Sequence, residues 1–588
     1  MHLRSRLQPE PLPSSVIVMA PMRVCSGGTA WLLVGLLGCG DDGSASGTTG
    51  GDSTTTTTTT DPSGGSGGSV GTDGETSGGE GSTGGEAGAL GDLYGMPNVD
   101  DDDSDGQADW RQPPFAADDD LTSFSLPDWY VDALGEGDRV ELTLGGEGEQ
   151  IRLWRGDQVV LGDGEGGVQT SLVLTAAEAG KLNLEVEFGD FLRGASLEIR
   201  HMSGDEALRS DAIELWSAPM LVNHHLQNAE YVWAVKAGSN TSMTNTIASV
   251  VGDRFILVDS PDVWIQDELE WALATAPGKR LNIAMDSIRD RALDAYVKGL
   301  KAPDVQPMTW GNPADETTED KFGNLEVTPP HSVGGVDYPL GRIYYGGGPS
   351  CGPNPEIKAH LDRQQVQAPI EVDTCWLCVG HVDEYISFIP APGTDKGFKL
   401  LIADVDAAYA VLDAQPPGTA LPRYSGSHGY GTIGEIVGDD ALRALNHDLQ
   451  ADRIDPVREQ LMAELDLDES DVLRMPALFE RIWGCSYKDN GVAALIPGML
   501  NLVVVNFEGE PLRIFVSDPF LRSDEGAQGS DPLIAKFTEM LPPEYEIHFV
   551  DDWYTYHVAI GEVHCGTNVA RSPGAAWWTE ARHLFTDR

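Results

Sequence analysis

The stretch from Gly40 to about Gly91 is almost entirely Gly, Ser, Thr, Asp and Glu, with an unbroken run from Thr54 to Thr60. So few apolar side chains cannot offset the conformational entropy of ordering the backbone, and this segment has no means of folding alone. Any globular body must therefore lie beyond it. A Gly/Ser-rich chain behaves as a flexible tether spanning about 5–6 Å times the square root of its length, a few nanometres here.

Ahead of the tether, the apolar stretch Ala30–Cys39 is too short to cross a membrane and ends in Leu36-Leu-Gly-Cys39. That ending resembles a bacterial lipobox, with cleavage before Cys39 and lipidation of its thiol. An ordinary signal peptide, or a start at Met19 or Met22, is the alternative. The expectation is a signal peptide over 1–39, a tether over 40–92, and a body lipid-anchored in a bacterial cell envelope, surface-exposed or periplasmic, or else secreted. A formal charge of −55 disfavours nucleic acid and suits cationic targets.

Between 93 and 217 the pattern has period two. Val140–Leu144, Leu182–Phe188 and Leu197–Ile199 alternate apolar with polar residues, which predicts a β-sandwich. Its opening, Asn98 to Gly106, spaces Asp101, Asp103 and Asp105 like the start of a calcium loop without the closing Glu; a solvated acidic run is the alternative. Beyond 218, apolar strands such as Phe255–Val258, Leu400–Ala403, Leu502–Val505, Ile514–Val516 and Ile547–Val550 alternate with helices. Asp455–Leu465 reads as a helix capped by Asp455 with Pro456 at its first position. The pattern supports an α/β domain.

Three segments carry chemistry. Tyr554–Gly566 sets Cys565 behind His564 and ahead of Gly566, as a thiol that must be activated by an electropositive neighbour requires. A buried structural thiol is the alternative. Trp264–Glu270 places Asp267, Glu268 and Glu270 among apolar residues, and Trp376–Glu384 puts His381 and Asp383 two apart, on one face of an extended chain. Unpaired buried charges cost on the order of several kcal/mol, so each segment calls for a cation. Taken singly, a buried ion pair and a satisfied core histidine would explain them. Cys375 and Cys378 lack a second pair at zinc spacing, which excludes zinc and leaves a disulfide open.

Taken together and in order, the segments 263–270, 321–330, 338–343, 377–392 and 551–569 resemble the protein-arginine deiminase (peptidylarginine deiminase) family of the guanidine-modifying, or pentein, superfamily. The resemblance runs from about 218 to the C-terminus. It implies a five-bladed α/β propeller over 218–588 as the catalytic domain, preceded over 93–217 by an immunoglobulin-like β-sandwich, the family's calcium-binding middle domain. It further implies that Cys565 attacks the guanidinium carbon, that His381 serves as general acid and then base, and that Asp267 and Asp383 hold the guanidinium. Arg291 would contact substrate main-chain carbonyls, and Trp264 would also bind substrate.

Calcium is implied as cofactor. Gln266, Glu270 and Glu326 with the carbonyls of Phe322 and Leu325 would form one site; Glu268, Asp286, Ser287 and Asp290, where the family usually has Asn, a second; Asn98, Asp100 and Asp102 fall on a third. Ala559 stands where some vertebrate members place an arginine, so peptide preference does not carry over. The expected activity is calcium-dependent conversion of peptidyl-arginine to peptidyl-citrulline and ammonia through a cysteine thiouronium. The alternatives are a deiminase of free arginine or a small guanidine, and a non-catalytic calcium-binding surface protein.

Overall fold

Alternating strands with one wet face must pair their dry faces, and residues up to Ser217 do so in two five-stranded sheets. The computed structural model describes residues 89–101, 108–111, 120–146, 148–164 and 166–585; the tether, Cys39 and Asp102 lie outside these. One sheet runs Leu93–Gly95, Glu206–Ser217, Gly194–Ser203, Arg139–Gly146, Ser171–Thr175; the other runs Thr122–Phe124, Leu184–Phe188, Ile151–Arg155, Gln158–Gly164, Gly167–Gln169. Val140, Leu142 and Leu144 from the first share one core with Ile151, Leu153 and Val186 from the second.

From Leu221 on, the chain is mixed α/β, and five small sheets repeat one pairing scheme. In each, a strand pairs antiparallel with one neighbour and parallel with another. Lys279–Asp286 lies between Leu269–Ala276 and Val305–Met308. Ile343–Gly347 lies between Leu325–Val327 and Ile370–Asp373, and Phe398–Asp404 between Ile386–Pro390 and Val472–Pro476. Arg513–Ser517 lies between Val503–Val505 and Glu546–Val550. In the fifth sheet Ala229–Val235 pairs with Phe255–Val258 and with Thr567–Arg571, joining the two ends of this region just after Cys565.

The helix expected at Asp455 does not begin there. An α-helix from Asp440 to Leu449 passes through a π turn, Gln450–Ile454, into Asp455–Leu465. Its N-cap is Asp439, whose carboxylate accepts from the amides of Ala441 and Leu442 at 3.0 and 2.9 Å. The widened π turn accommodates Pro456, which lacks an N–H. Cys375 and Cys378 do not bond to each other: the disulfides are Cys351–Cys375 and Cys378–Cys485, which leaves Cys565 as the free cysteine among the described residues. No helix among those residues is long and apolar enough to cross a membrane.

Candidate active site

Cys565 sits in a tight turn feeding the strand Thr567–Arg571. The Gly566 amide donates to the Val563 carbonyl and the Thr567 amide to that of His564, and a Cβ on Gly566 would come within 2.2 Å of the Tyr556 ring, so only glycine fits the turn. The amides of His564 and Cys565 donate to Asn501 Oδ1 at 3.0 and 3.4 Å. Asn501 Nδ2 donates to Asp383 Oδ2 at 2.7 Å and lies 3.5 Å from the Cys565 sulfur, which is 3.9 Å from Asp383 Oδ2. Asn501 therefore fixes nucleophile and carboxylate together.

His381 immediately precedes the one-turn helix Val382–Glu384, whose Glu384 carboxylate accepts from the amides of Gly380 and His381 at 2.9 and 2.8 Å. Its Nε2 lies 2.9 Å from the Thr318 carbonyl oxygen. Because a carbonyl only accepts, Nε2 carries the proton and Nδ1 is left to exchange one, 3.9 Å from Asp267 Oδ1. Gly323 closes this corner: a Cβ there would lie 2.6 Å from His381 Nδ1 and 3.2 Å from Asp383 Oδ2. Asp267 lies in the short helix Ile265–Glu268, joined to the nucleophile by the Gln266 amide donating to the Cys565 carbonyl at 3.2 Å. Trp264 backs the sulfur, since a Cβ on Gly561 would meet its ring at 2.4 Å and Cys565 Sγ at 3.3 Å.

Electrostatics here disfavour a resting thiolate. Burial, then the charges of Asp383 and Asp267, push the Cys565 thiol well above its ordinary value. The adjacent histidine does not counter them. His564 turns its Nδ1 to Asp383 Oδ2 at 2.9 Å and its Nε2 to Glu326 at 3.7 Å, and although burial pulls its pKa down, these carboxylates raise it on balance. Part of the cation that Asp267 and Glu268 require is supplied internally. Buried Arg289 lies 3.8 Å from Asp267 Oδ2 and 3.3 Å from Glu268 Oε2, pairs with Asp262, and donates to the Trp264 carbonyl. Arg291 is exposed.

Two hard-oxygen clusters flank Asp267. Gln266, Glu270 and Glu326 line one polar cavity with His225, His564 and Arg571. Gln266 Nε2 donates to Glu270 Oε2 at 2.6 Å and to the Phe322 carbonyl at 3.2 Å, while Leu325 opens the strand carrying Glu326. Burial, then mutual repulsion, pushes Glu270 up to about 8; burial pushes Glu326 up to about 7. In the second cluster, oxygens of Glu268, Asp286 and Asp294 lie within 4.8 Å of one another. Neither Glu268 oxygen nor Asp286 Oδ1 has a hydrogen-bond partner, and burial pushes the two carboxyls to about 8 and about 6. Such under-satisfied buried oxygens fit a hard cation. Asp294, not expected from the sequence, joins Glu268 and Asp286 in this cluster. Ser287 is a buried neighbour whose amide donates to the Glu268 carbonyl, and exposed Asp290 adopts φ +37°, which a short polar residue tolerates. In the N-terminal region Asn98 donates to Glu187 at 2.8 Å and the Asp100 carbonyl accepts from the Asp109 amide.

The chain matches the family model for protein-arginine deiminase over residues 207–579. The chain belongs to the protein-arginine deiminase family. Its relatives include the type-4 protein-arginine deiminase of Rattus norvegicus, 35% identical over 386 residues that cover 63% of this chain and 56% of that protein. The type-1 enzyme of Mus musculus is 36% identical over 341 residues, 54% of this chain and 47% of that protein. The chain thus spans about half the length of the curated relatives it matches.

Within this family member, sequence motifs located Asp267, His381, Asp383 and Cys565, which the fold brings together from three distant segments. Asn501 and Arg289 were missed. Asn501 was signalled only as a lone amide in the apolar run 499–505, and Arg289 only by standing two residues before Arg291.

Proposed function

We propose that this chain hydrolyses peptidyl-arginine to peptidyl-citrulline and ammonia, with calcium as cofactor. The observation that carries the reading is the convergence of one free cysteine, one histidine and two carboxylates at a corner left open by Gly323. A guanidinium is planar and permanently charged, so it suits a pocket with a carboxylate on each side. Held by Asp267 and Asp383, it brings the positive charge that Cys565 lacks at rest and favours the thiolate.

With the guanidinium bound, the Cys565 thiol gives its proton to His381 Nδ1, and the resulting thiolate attacks the central carbon to give a tetrahedral intermediate. His381 Nδ1 delivers a proton to one terminal nitrogen, the C–N bond breaks, and ammonia leaves a thiouronium. A water then gives its proton to Nδ1 as it attacks the same carbon. As this intermediate collapses, the hydroxyl proton passes to the departing sulfur, restoring the thiol and leaving the neutral urea of citrulline, and His381 gives up its extra proton to solvent. Calcium would be held by Gln266, Glu270 and Glu326 and by Glu268 and Asp286 with Asp294, and would supply positive charge against carboxylates that otherwise repel around Asp267.

The repeated pairing of the five sheets supports a five-bladed propeller over 218–588, and the two sheets before it support an immunoglobulin-like sandwich over 93–217. Arg291 on the rim supports peptide over free arginine. Two disulfides support an oxidising compartment, in keeping with lipidation at Cys39 and display in a bacterial envelope. The test is citrulline release from an arginine peptide and from free arginine, each with calcium or chelator. Release from the peptide alone, and only with calcium, is expected; release from free arginine alone refutes the reading.

A further inference from the structure

The polar cavity lined by Glu270 and Glu326 also holds donors that a calcium site does not ask for, the imidazoles of His225 and His564. Each ring is fixed from behind. His225 Nδ1 lies 2.8 Å from the Phe388 carbonyl oxygen, which only accepts, so Nδ1 carries the proton and Nε2 keeps its lone pair. His564 Nδ1 lies 2.9 Å from Asp383 Oδ2 and is the donating nitrogen there. The Nε2 atoms meet one carboxylate: His225 Nε2 is 3.6 Å from Glu326 Oε2, and His564 Nε2 is 3.7 Å from Glu326 Oε1. These separations are too long for hydrogen bonds. They are near the spacing of ligands around one small ion, since two donors about 2.0 Å from a tetrahedral zinc lie roughly 3.3 Å apart. One ligand atom from each of His225, His564 and Glu326 falls within 4.8 Å of the other two, so a modest inward shift lets one ion bond all three.

Histidines that ligate a metal are oriented by a carbonyl or carboxylate on the far nitrogen, and both rings have one here. A further observation is independent of the histidines. Asn568, on the same cavity wall and 2% exposed, leaves its Oδ1 without a hydrogen-bond partner among the described residues. Free space of about 20 Å³ suits an ion or a water and excludes a larger ligand. Glu270 and Glu326 also outnumber Arg571 on the walls, and an entering ion displaces any proton that Glu326 holds on His564 Nε2.

We propose that this cavity takes a divalent transition ion of the zinc class, bound by His225 Nε2, His564 Nε2 and Glu326, and that this ion and calcium exclude each other because Glu326 serves both. Imidazole nitrogen favours such ions, whereas calcium takes oxygen. His564 carries the consequence toward the reaction, because the ring that binds the ion through Nε2 donates through Nδ1 to Asp383, one of the carboxylates assigned to the guanidinium. The ion site stands on the geometry of the three residues. Only the competition with calcium rests on the function proposed above.

The test uses the full chain carrying Cys25→Ala, Cys39→Ala and Cys565→Ala, so that no free thiol competes for the ion. Zinc is titrated calorimetrically into calcium-free and into calcium-saturated protein, and cobalt(II) reads ligand geometry by its visible absorption. His225→Asn keeps an N–H for the Phe388 carbonyl but removes Nε2. It is expected to weaken the tightest zinc site at least about tenfold and to change calcium affinity less than about threefold. Saturating calcium is expected to weaken zinc binding at least about tenfold. Cobalt(II) should give the intense spectrum of a four-coordinate site, and His225→Asn should abolish it. Zinc affinity unchanged in His225→Asn would overturn the site. So would a weak, six-coordinate cobalt spectrum in the chain that keeps His225, a result that does not depend on the variant folding. Zinc binding indifferent to saturating calcium would overturn the competition. Absence of citrulline from the wild type alongside the expected zinc results would instead refute the proposed function and leave the ion site standing.

Discussion

Gly323→Ala is a small change with a large consequence for the site. The glycine is buried in the one-turn helix Phe322–Asn324, and its φ is not left-handed, so alanine adds no backbone strain. The added methyl instead meets His381 Nδ1 at 2.6 Å, where ordinary contact begins at 3.4 Å, so the ring must withdraw by about 0.8 Å. It cannot withdraw freely. Thr318 holds Nε2 at 2.9 Å and Glu384 holds the His381 amide at 2.8 Å. A misplacement of roughly 1 Å costs on the order of 100-fold in rate, or about 2.7 kcal/mol of transition-state stabilisation. Reduced freedom of the unfolded chain returns about 0.4–1 kcal/mol of stability. Citrulline formation from an arginine peptide at saturating calcium should therefore fall about 100-fold, while the melting temperature shifts by no more than about 4 °C. Activity within threefold of wild type would mean that His381 Nδ1 is not the working nitrogen, and the mechanism would have to be redrawn.

Cys565→Ala should lower citrulline formation by on the order of 10⁴ or more while leaving calcium binding by isothermal titration intact, because the sulfur forms the bond and touches neither acidic cluster. With calcium chelated, stability should fall as pH rises. Glu268 and Glu270 have folded values near 8 and Glu326 near 7, against 4.5 unexposed to the fold, so their stabilising protons are present below about pH 4.5 and are lost between about pH 4.5 and 8. Melting temperatures across that window, with chelator and with calcium, check the sign, and calcium should remove most of the slope. Reduction should also destabilise the protein. Loop closure across the 24-residue and 107-residue separations is worth about 3.4 and about 4.8 kcal/mol, and urea midpoints with and without a phosphine reductant read the loss.

What could be read before folding was whatever violated local pattern. Asp267, His381 and Asp383 stand out as charges in apolar runs, and Cys565 as a thiol in a glycine turn; each violation needs an explanation, and function supplies it. The sheets of 93–217 were legible because one face is wet and period two follows. The five sheets beyond were legible only as apolar runs, since strands with parallel partners are covered on both faces and lose the alternation. Asp455-Pro456 looked like a helix start because local chemistry cannot report a π turn upstream. Asn501 and Arg289 share a different obscurity. Asn501 meets partners 64 and 118 positions away, and Arg289 completes an ion cluster assembled by pairing between strands.

On the proposed function, the same charges that make the pocket legible also account for a selectivity for guanidinium. Asp383 and Asp267 push the Cys565 thiol upward, so the empty site holds a protonated, weakly nucleophilic sulfur. Only a bound cation reverses that field, and among side chains only a guanidinium combines permanent charge with a planar set of donors that two carboxylates can share and with a carbon open to attack. A lysine would bring the charge but no such carbon. The product carries no charge, so once the urea forms, both carboxylates lose their partner and the field again favours the thiol. On the proposed function, substrate charge thus sets binding and nucleophile activation through one interaction, and replacing Asp383 by asparagine should weaken peptide binding while making the resting thiol more acidic, which the pH dependence of Cys565 alkylation without substrate reads.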